Sequence, residues 1–398
     1  MLEVSFIPME KLGENGILEL DLAKPLGEVR QGFTYFRDND VIFAKITPSF
    51  ENGKVAVCRN LENGIGFGTT ELHVLRTRSH LCEPRYIFYV VSSSEFRQLG
   101  IASMQGVAGQ QRVTEKFVAE FLVLLPPLHE QRAIADFLDR ETAHIDALIA
   151  RKQRLLDLLA ERRQALITHA VTKGLDPDAP MKDSGVEWLG EIPEGWGLAS
   201  LKHVAEVRTG IAKGRVLNSD NAIPVPYLRV ANVQDGYLDL SDVAEIEVLP
   251  HELPQYSLQI GDVLMNEGGD SDKLGRGAVW DGSIEPCIHQ NHVFAVRCFD
   301  VDPEWLSAIT SSDYAKAYFE SRAKQTTNLA SISATNLREL PVVTPRRDEQ
   351  TAIVTFLEQQ TSKIDTLCDR IRRVVASLQE RRAALINEAV TGKIRVTE

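Results

Sequence analysis

Apolar residues follow two different periods along this chain. In residues 130–172 and 349–391 they step by alternating fours and threes. The first stretch places Ile134, Leu138, Ile145, Leu148, Leu155, Leu159 and Leu166 on one face, and the second places Ile353, Leu357, Ile364, Leu367, Ile371, Val374, Leu378 and Leu385. A seam sustained over about four heptads predicts two long helices that pair as a coiled coil. Polar breaks fall at matching depths, Glu141 with Gln360 and Arg162 with Arg381, so the helices are expected to pack antiparallel on each other. Pro126-Pro127 announces the first helix. Thr344-Pro345 reads as an N-cap with proline opening the second. Both helices stop at Thr172–Gly174 and Thr391–Lys393, where glycine suits a left-handed C-cap. At 1.5 Å per residue the first would span roughly 54 Å between Ile134 and His169.

Elsewhere the period is two, in short runs. Residues 41–46, 54–58 and 71–76 read as strands, as do 262–266, 276–280 and 292–297. Residues 84–99 and 303–322 read as the helices that follow them. The two sets align with each other at offsets of 219 to 222, and the long helices align without a gap at 219 with 22 of 43 positions identical. A period this long is no solenoid. It predicts an α+β chain with pseudo-two-fold organisation, two mixed α/β globular regions separated by two long helices that form an antiparallel coiled coil. The boundaries are 1–125 for the first globule, 126–175 for a central helical spacer, 176–344 for a linker and second globule, and 345–398 for a C-terminal helical spacer. Residues 175–181, rich in proline and aspartate, cannot continue a helix.

Composition narrows the function. The formal net charge of −12 is concentrated in 176–344, which carries 13 basic against 26 acidic residues. Phosphate neutralisation supplies most non-specific DNA affinity, so such a chain should hold bare DNA weakly and rely on partners for grip. No apolar run approaches 18 residues and no signal peptide opens the chain, which points to the cytoplasm. Five cysteines without paired spacing argue against a metal site or a disulfide framework. No GxxxxGK[ST] loop is present, and no glycine-rich turn follows a strand in a form that holds a dinucleotide or methyl donor. No catalytic residues and no bound cofactor are therefore assigned.

What the loops do carry is amide, hydroxyl and basic side chains beside strands, the groups that read base edges. In the first globule these candidates for DNA contact are Lys45, Thr47, Lys54, Thr69, Thr70, Gln110, Gln111 and Arg112. In the second they are Asn266, Lys273, Arg276, Gln290, Asn291, His292, Gln325, Thr326 and Thr327. Taken singly, each is more often an ordinary solvated loop residue.

Several stretches together resemble the specificity subunit of type I restriction–modification systems. They are Pro126 to Gln131, Ile145-Asp146, Glu161 to Ile167, the linker from Met181 to Trp196, and the run through Ala44–Pro48, Glu51–Lys54 and Gly66–Glu71. The resemblance implies two target recognition domains, each reading half of a bipartite sequence in double-stranded DNA. It also implies that the helices set the gap between half-sites and dock two methyltransferase subunits. Chemistry would sit on partners, with S-adenosylmethionine on the modification subunits and ATP and magnesium on the restriction subunits. The alternative is an inactive specificity subunit that serves only as an interaction scaffold. One departure stands out: Val4–Met9 aligns with Val225–Val230, and the stretch 184–222 before the latter has no counterpart. The first recognition domain is therefore expected to be truncated, to lack an edge strand or leading segment, and to be the less stable of the two.

Overall fold

The structure is a computed structural model that describes residues 2–107, 109–214, 221–269, 274–325 (Gln325 without its side chain) and 330–396. The chain falls into two units, one of residues 1–154 with 370–398, the other of residues 155–369. Among the described residues no helix is long and apolar enough to cross a membrane.

The first unit holds strands β1 (Glu3–Ile7), β2 (Ala23–Pro25), β3 (Thr34–Arg37), β4 (Val41–Ala44), β5 (Val55–Val57), β6 (Ile65–Gly68) and β7 (Leu72–Leu75). Its short helices are α1 (Leu26–Val29), α2 (Pro84–Ser92), α3 (Ser94–Ala102) and α4 (Glu115–Glu120). The strands form a four-stranded sheet ordered β2-β1-β6-β3 and a three-stranded sheet ordered β5-β4-β7. Helix α5 (Leu128–Lys173) follows, shared between the units.

The second unit holds β8 (Met181–Asp183), β9 (Glu191–Pro193), β10 (Gly197–Ser200), β11 (Ala205–Thr209), β12 (Ile223–Leu228), β13 (Ala244–Val248), β14 (Asp262–Asn266), β15 (Gly268–Gly269), β16 (Gly277–Val279), β17 (Ile288–His289), β18 (Val293–Cys298), β19 (Lys324–Gln325), β20 (Ala330–Ser331) and β21 (Pro341–Thr344). Helices α6 (Leu253–Tyr256), α7 (Pro303–Thr310), α8 (Asp313–Arg322) and α9 (Ala334–Arg338) belong to it, and α10 (Arg347–Val390) is shared. Its main sheets run β11-β18-β14-β16 and β13-β12-β17.

The strand registers repeat residue for residue. Val41 pairs with Val57 and Leu75, as Val263 pairs with Val279 and Val296. Phe6 runs parallel to Phe67, as Tyr227 does to Ile288. A buried aspartate opens the central strand of each copy. Asp40 takes two hydrogen bonds from Arg76 (2.7 and 2.9 Å), and Asp262 takes two from Arg297 (2.7 and 2.8 Å). The four-stranded β11-β18-β14-β16 sheet has one strand more than β5-β4-β7, because β11 lies along the outer edge of β18.

Sequence periodicity merges what the structure divides. The expected helix over 84–99 is α2 and α3, broken at Ser93, whose extended backbone and hydroxyl cap Phe96 N. The helix over 303–322 breaks the same way at Ser312, which caps Ala315 N. A serine N-cap outweighs continuity of an apolar pattern there. The start expected at Thr344-Pro345 is also displaced, since Thr344 ends strand β21 and α10 begins at Arg347. Gly174, at φ +76°, follows the last helical residue of α5 as expected.

Within each unit the start of one long helix packs against the end of the other. In the first unit Leu138 shares a core with Ile386, Ala389 and Val390, and in the second Leu357 shares one with Ile167, Ala170 and Val171. Those are the same positions at offset 219. Each fully buried aliphatic side chain of this kind contributes roughly 1.5–3 kcal/mol. Ion pairs repeat the relation: Arg382 Nε lies 2.9 Å from Asp146, and Arg163 Nε 3.4 Å from Asp365.

The expected seam is corrected in its middle. Leu138, Ile145, Leu159, Ile353, Leu357 and Ile371 are buried, and Ile134, Leu148, Leu166, Ile364, Leu378 and Leu385 half-buried. Leu155, Leu367 and Val374 are exposed at 37–45%. Of their neighbours, Cys368 is buried and Leu156 and Val375 are half-buried. The seam steps through Gln131, Thr142 and Lys152, polar residues that an apolar count skips, so the count slipped by one position.

A buried glutamine fixes each helix start. Gln131 accepts a hydrogen bond from Glu83 N and donates to the carbonyls of Leu81 and Pro126. Gln350 accepts from Asp302 N and donates to Pro345 O, each at 2.9 Å. The repeated Glu-Gln dipeptide thus ties loop to helix in both copies.

Candidate nucleic-acid interface

Three loops meet at the end of each central strand. In the first unit they are residues 45–47, 69–71 and 110–113. Lys45 N donates to Glu71 O (2.9 Å), Val113 N donates to Lys45 O (2.8 Å), and Ile46 bridges Arg112. In the second unit Glu267 N donates to His292 O (2.9 Å), Ile332 N donates to Glu267 O (2.9 Å), and Gly268 pairs with Ser331. The backbone platform is one and the same, while the side chains on it differ: Lys45 and Glu71 in one copy, Glu267 and His292 in the other.

Most candidates of the first globule gather here. Thr47 N donates to Gln111 O (2.9 Å), and Gln111 N donates back to the Thr47 hydroxyl (3.1 Å). Arg112 grips Glu71 through two hydrogen bonds of 2.8 and 2.9 Å. That guanidinium holds the Glu71 carboxyl below the usual range. Thr69 accepts from Glu71 N, and Thr70 and Gln110 are exposed. Lys45 and Thr70 line an open cleft of about 510 Å³ together with Tyr35 and Glu115. Lys54 does not join them, because its ammonium donates to Met9 O (2.9 Å). Tyr35 was missed by sequence reasoning. It is 45% exposed with Arg76 5.5 Å from its ring centre, and an aromatic at an outward strand position was the available signal. Such a ring can stack on a base.

In the second unit His292 Nδ1 lies 2.5 Å from Glu267 Oε2, and the Asn291 amide stands 3.4 Å from His292 Nε2. Backbone bonds from Gln290 N to Leu228 O (2.8 Å) and from Asn291 N to Ile211 O (3.0 Å) fix that loop. Beneath it, buried His289 contacts Val293 O at 2.7 Å, and burial holds its imidazole neutral by lowering its pKa. Arg276 donates to Gln234, a partner the sequence did not flag (3.1 Å). Asn266 is a correction. It is 4% exposed and its amide donates inward to Val233 O (2.9 Å), so it supports the loop and is turned away from solvent. Lys273, Thr326, Thr327 and the side chain of Gln325 lie outside the described residues. Among the described residues no group of His, Cys, Asp or Glu is placed to hold a metal ion.

The first platform offers amide, hydroxyl and guanidinium groups and the second amide, imidazole and guanidinium groups, each on a backbone fixed by its own hydrogen bonds. Such an arrangement can recognise a patterned array of donors and acceptors.

Comparisons with known proteins agree with this geometry. The family model described as the type I restriction modification DNA specificity domain matches residues 5–157. The type I restriction enzyme EcoEI specificity subunit of Escherichia coli is 24% identical over 95% of this chain and 76% of its own length. The EcoAI specificity subunit of Escherichia coli is 42% identical over 33% of this chain and 23% of that protein. The MjaVIII specificity subunit of Methanocaldococcus jannaschii is 25% identical over 81% of this chain and 73% of that protein. Among solved structures, a chain from work on complex assembly and conformational transition of the type I R-M system superposes with a TM-score of 0.69. It is 20% identical, with coverage of 98% of this chain and 92% of that one. The HsdS subunit from Thermoanaerobacter tengcongensis gives 0.51 at 20% identity, covering 98% and 91%. At that identity the likeness concerns the fold. With the family model over residues 5–157, the relatives along the chain and the doubled architecture in agreement, this chain is similar to the specificity subunits of type I restriction–modification systems.

Proposed function

We propose that this chain is the DNA sequence-recognition subunit of a type I restriction–modification complex, each three-loop platform reading one half of a bipartite target. The observation that carries the reading is the repetition of one hydrogen-bonded platform with different side chains upon it. Two readers of one construction suit two half-sites, and Lys45/Glu71 against Glu267/His292 suits half-sites of different sequence. On this reading the long helices hold the readers at a fixed spacing and dock two methyltransferase subunits. The chain itself performs no chemistry. S-adenosylmethionine would be used on the modification subunits, with ATP and magnesium on the restriction subunits. The acidic second globule supports dependence on partners, since phosphate contacts dominate affinity.

The test is a gel shift with the assembled complex, comparing target and scrambled duplexes. Replacing Gln290 and Asn291 together by alanine should reduce discrimination about ten- to a hundredfold, the scale of one bidentate base contact, while assembly is unchanged. Unchanged discrimination removes that loop from the reader. Failure of the wild-type complex to distinguish the duplexes would favour the scaffold reading.

A further inference from the structure

One backbone position carries opposite charges in the two units. Lys45 follows strand β4 and Glu267 follows strand β14, the equivalent strand of the second copy. Both residues are held through their main chains on two sides. Lys45 N donates to Glu71 O (2.9 Å), and Lys45 O accepts from Val113 N (2.8 Å). Glu267 N donates to His292 O, and Glu267 O accepts from Ile332 N, each at 2.9 Å. With backbones pinned alike, the two side chains leave their platforms at the same point, an ammonium in one and a carboxylate in the other.

The Glu267 carboxylate is also oriented. His292 Nδ1 lies 2.5 Å from its Oε2, and the Asn291 amide stands 3.4 Å from His292 Nε2. A ring with its proton on Nδ1 satisfies both contacts, donating to Glu267 and accepting from Asn291. The Glu267 side chain keeps 28% of its surface open to solvent. In the first unit the carboxylate stands at the other position: Glu71, counterpart of His292, has both oxygens engaged by Arg112 at 2.8 and 2.9 Å. That pairing leaves the Lys45 ammonium to act there, at the rim of the cleft it lines. A carboxylate on a surface facing DNA is repelled by the phosphates. A hydrogen-bond donor on a base edge is what offsets that repulsion.

We infer that this shared position selects bases by hydrogen-bond polarity. Glu267 accepts from an exocyclic amino group in the major groove, that of cytosine or adenine, whereas Lys45 donates to the O6 and N7 acceptors of guanine. His292 is a positioning residue that holds the carboxylate for its contact. Guanine and thymine present only acceptors in the major groove, so the carboxylate rejects both. The inference rests on the reading of the platforms as DNA readers and adds which class of base each one takes.

The experiment selects duplexes from a random-sequence pool with the assembled complex, comparing wild type with Glu267→Lys, Glu267→Ala, His292→Ala and Lys45→Glu. Wild type should enrich cytosine or adenine at one position of one half-site, and the base found there identifies the source of the amino group. Glu267→Lys should turn that preference to guanine, by about tenfold or more, and leave the other half-site untouched. Glu267→Ala should relax the same position without a new preference. His292→Ala should weaken it there alone, which a general loosening of the loop would not do. Lys45→Glu should make the reverse change, guanine to an amino-bearing base, in the other half-site. A wild-type motif that the variants leave unchanged, or one blurred over a whole half-site without any change of polarity, overturns this inference alone. No motif with the wild-type complex overturns the reading of the platforms and this inference with it.

Discussion

Gln350→Ala tests whether the repeated glutamine is the bolt that fastens each globule to its helix. Gln350 is 2% exposed, and its side chain serves the backbone N–H of Asp302 and the carbonyl of Pro345. Truncation leaves one donor and one acceptor unpaired in a buried place, at about 1–3 kcal/mol each. A water entering the vacated space would bond part of what is left unpaired, which keeps the sum at about 2–3 kcal/mol. Asp302 also caps α7 by accepting from Glu304 N and Trp305 N, so the lost bond loosens the helix that carries Trp305. All four tryptophans, Trp188, Trp196, Trp280 and Trp305, lie in the second unit, so their emission follows that unit alone during urea unfolding. With a slope of about 3 kcal/mol/M the midpoint should fall by roughly 0.7–1 M. Gln350→Glu should cost at least as much at neutral pH, because a carboxylate would face the Pro345 carbonyl with no proton to donate. A midpoint within 0.2 M of wild type for both variants would refute the reasoning.

Three further outcomes follow from particular residues. Burial lowers the pKa of His73 and His289 below the ordinary value of 6.5, so the folded state favours their neutral forms. As pH falls through about 6.5 the unfolded chain takes up protons on these two histidines before the folded chain does, so stability should fall, with a limiting slope of about 1.4 kcal/mol per pH unit for each. Denaturation midpoints between pH 7.5 and 5.5 read this, and a flat profile would contradict it. Arg382 is 12% exposed in its pair with Asp146, whereas Arg163 is 31% exposed and farther from Asp365. Arg382→Ala should therefore cost about 1 kcal/mol and Arg163→Ala less, with equal losses counting against the difference in geometry. The first unit, where the outer edge of β7 pairs with no strand among the described residues and Leu122 and Leu124 are exposed, should be cut before the second in limited proteolysis. Equal resistance would argue that this strand edge is no weak point.

Much of the architecture was readable because duplication is a sequence-level signal. Matched positions such as Asp40 and Asp262, or Arg76 and Arg297, fall at equivalent places in the two sheets, where the same ion pair holds each. The seam was readable at its ends, where apolar Leu138 and Leu357 face their cores, and misread at its centre. There Thr142 and Lys152 occupy inward positions that hydrophobicity cannot announce. The helices over 84–99 and 303–322 were merged because a serine cap is a local hydrogen bond inside an apolar pattern. Residue type found Thr47, Gln111, Arg112 and the 290–292 loop for the platform. It could not tell that Lys54 and Asn266 turn inward, since that depends on carbonyls distant in sequence, Met9 and Val233. Tyr35, Gln234 and Glu267 were missed because each matters only through a neighbour that folding brings to it.

The claim that two differently furnished platforms read two half-sites is tested most directly by mapping methylated bases. The DNA would come from cells that express this chain with the methyltransferase subunits proposed as its partners. The expected result is one bipartite motif, two unlike specific halves separated by a gap of fixed length. A palindromic motif built from one half, a contiguous motif, or no motif at all would contradict the account.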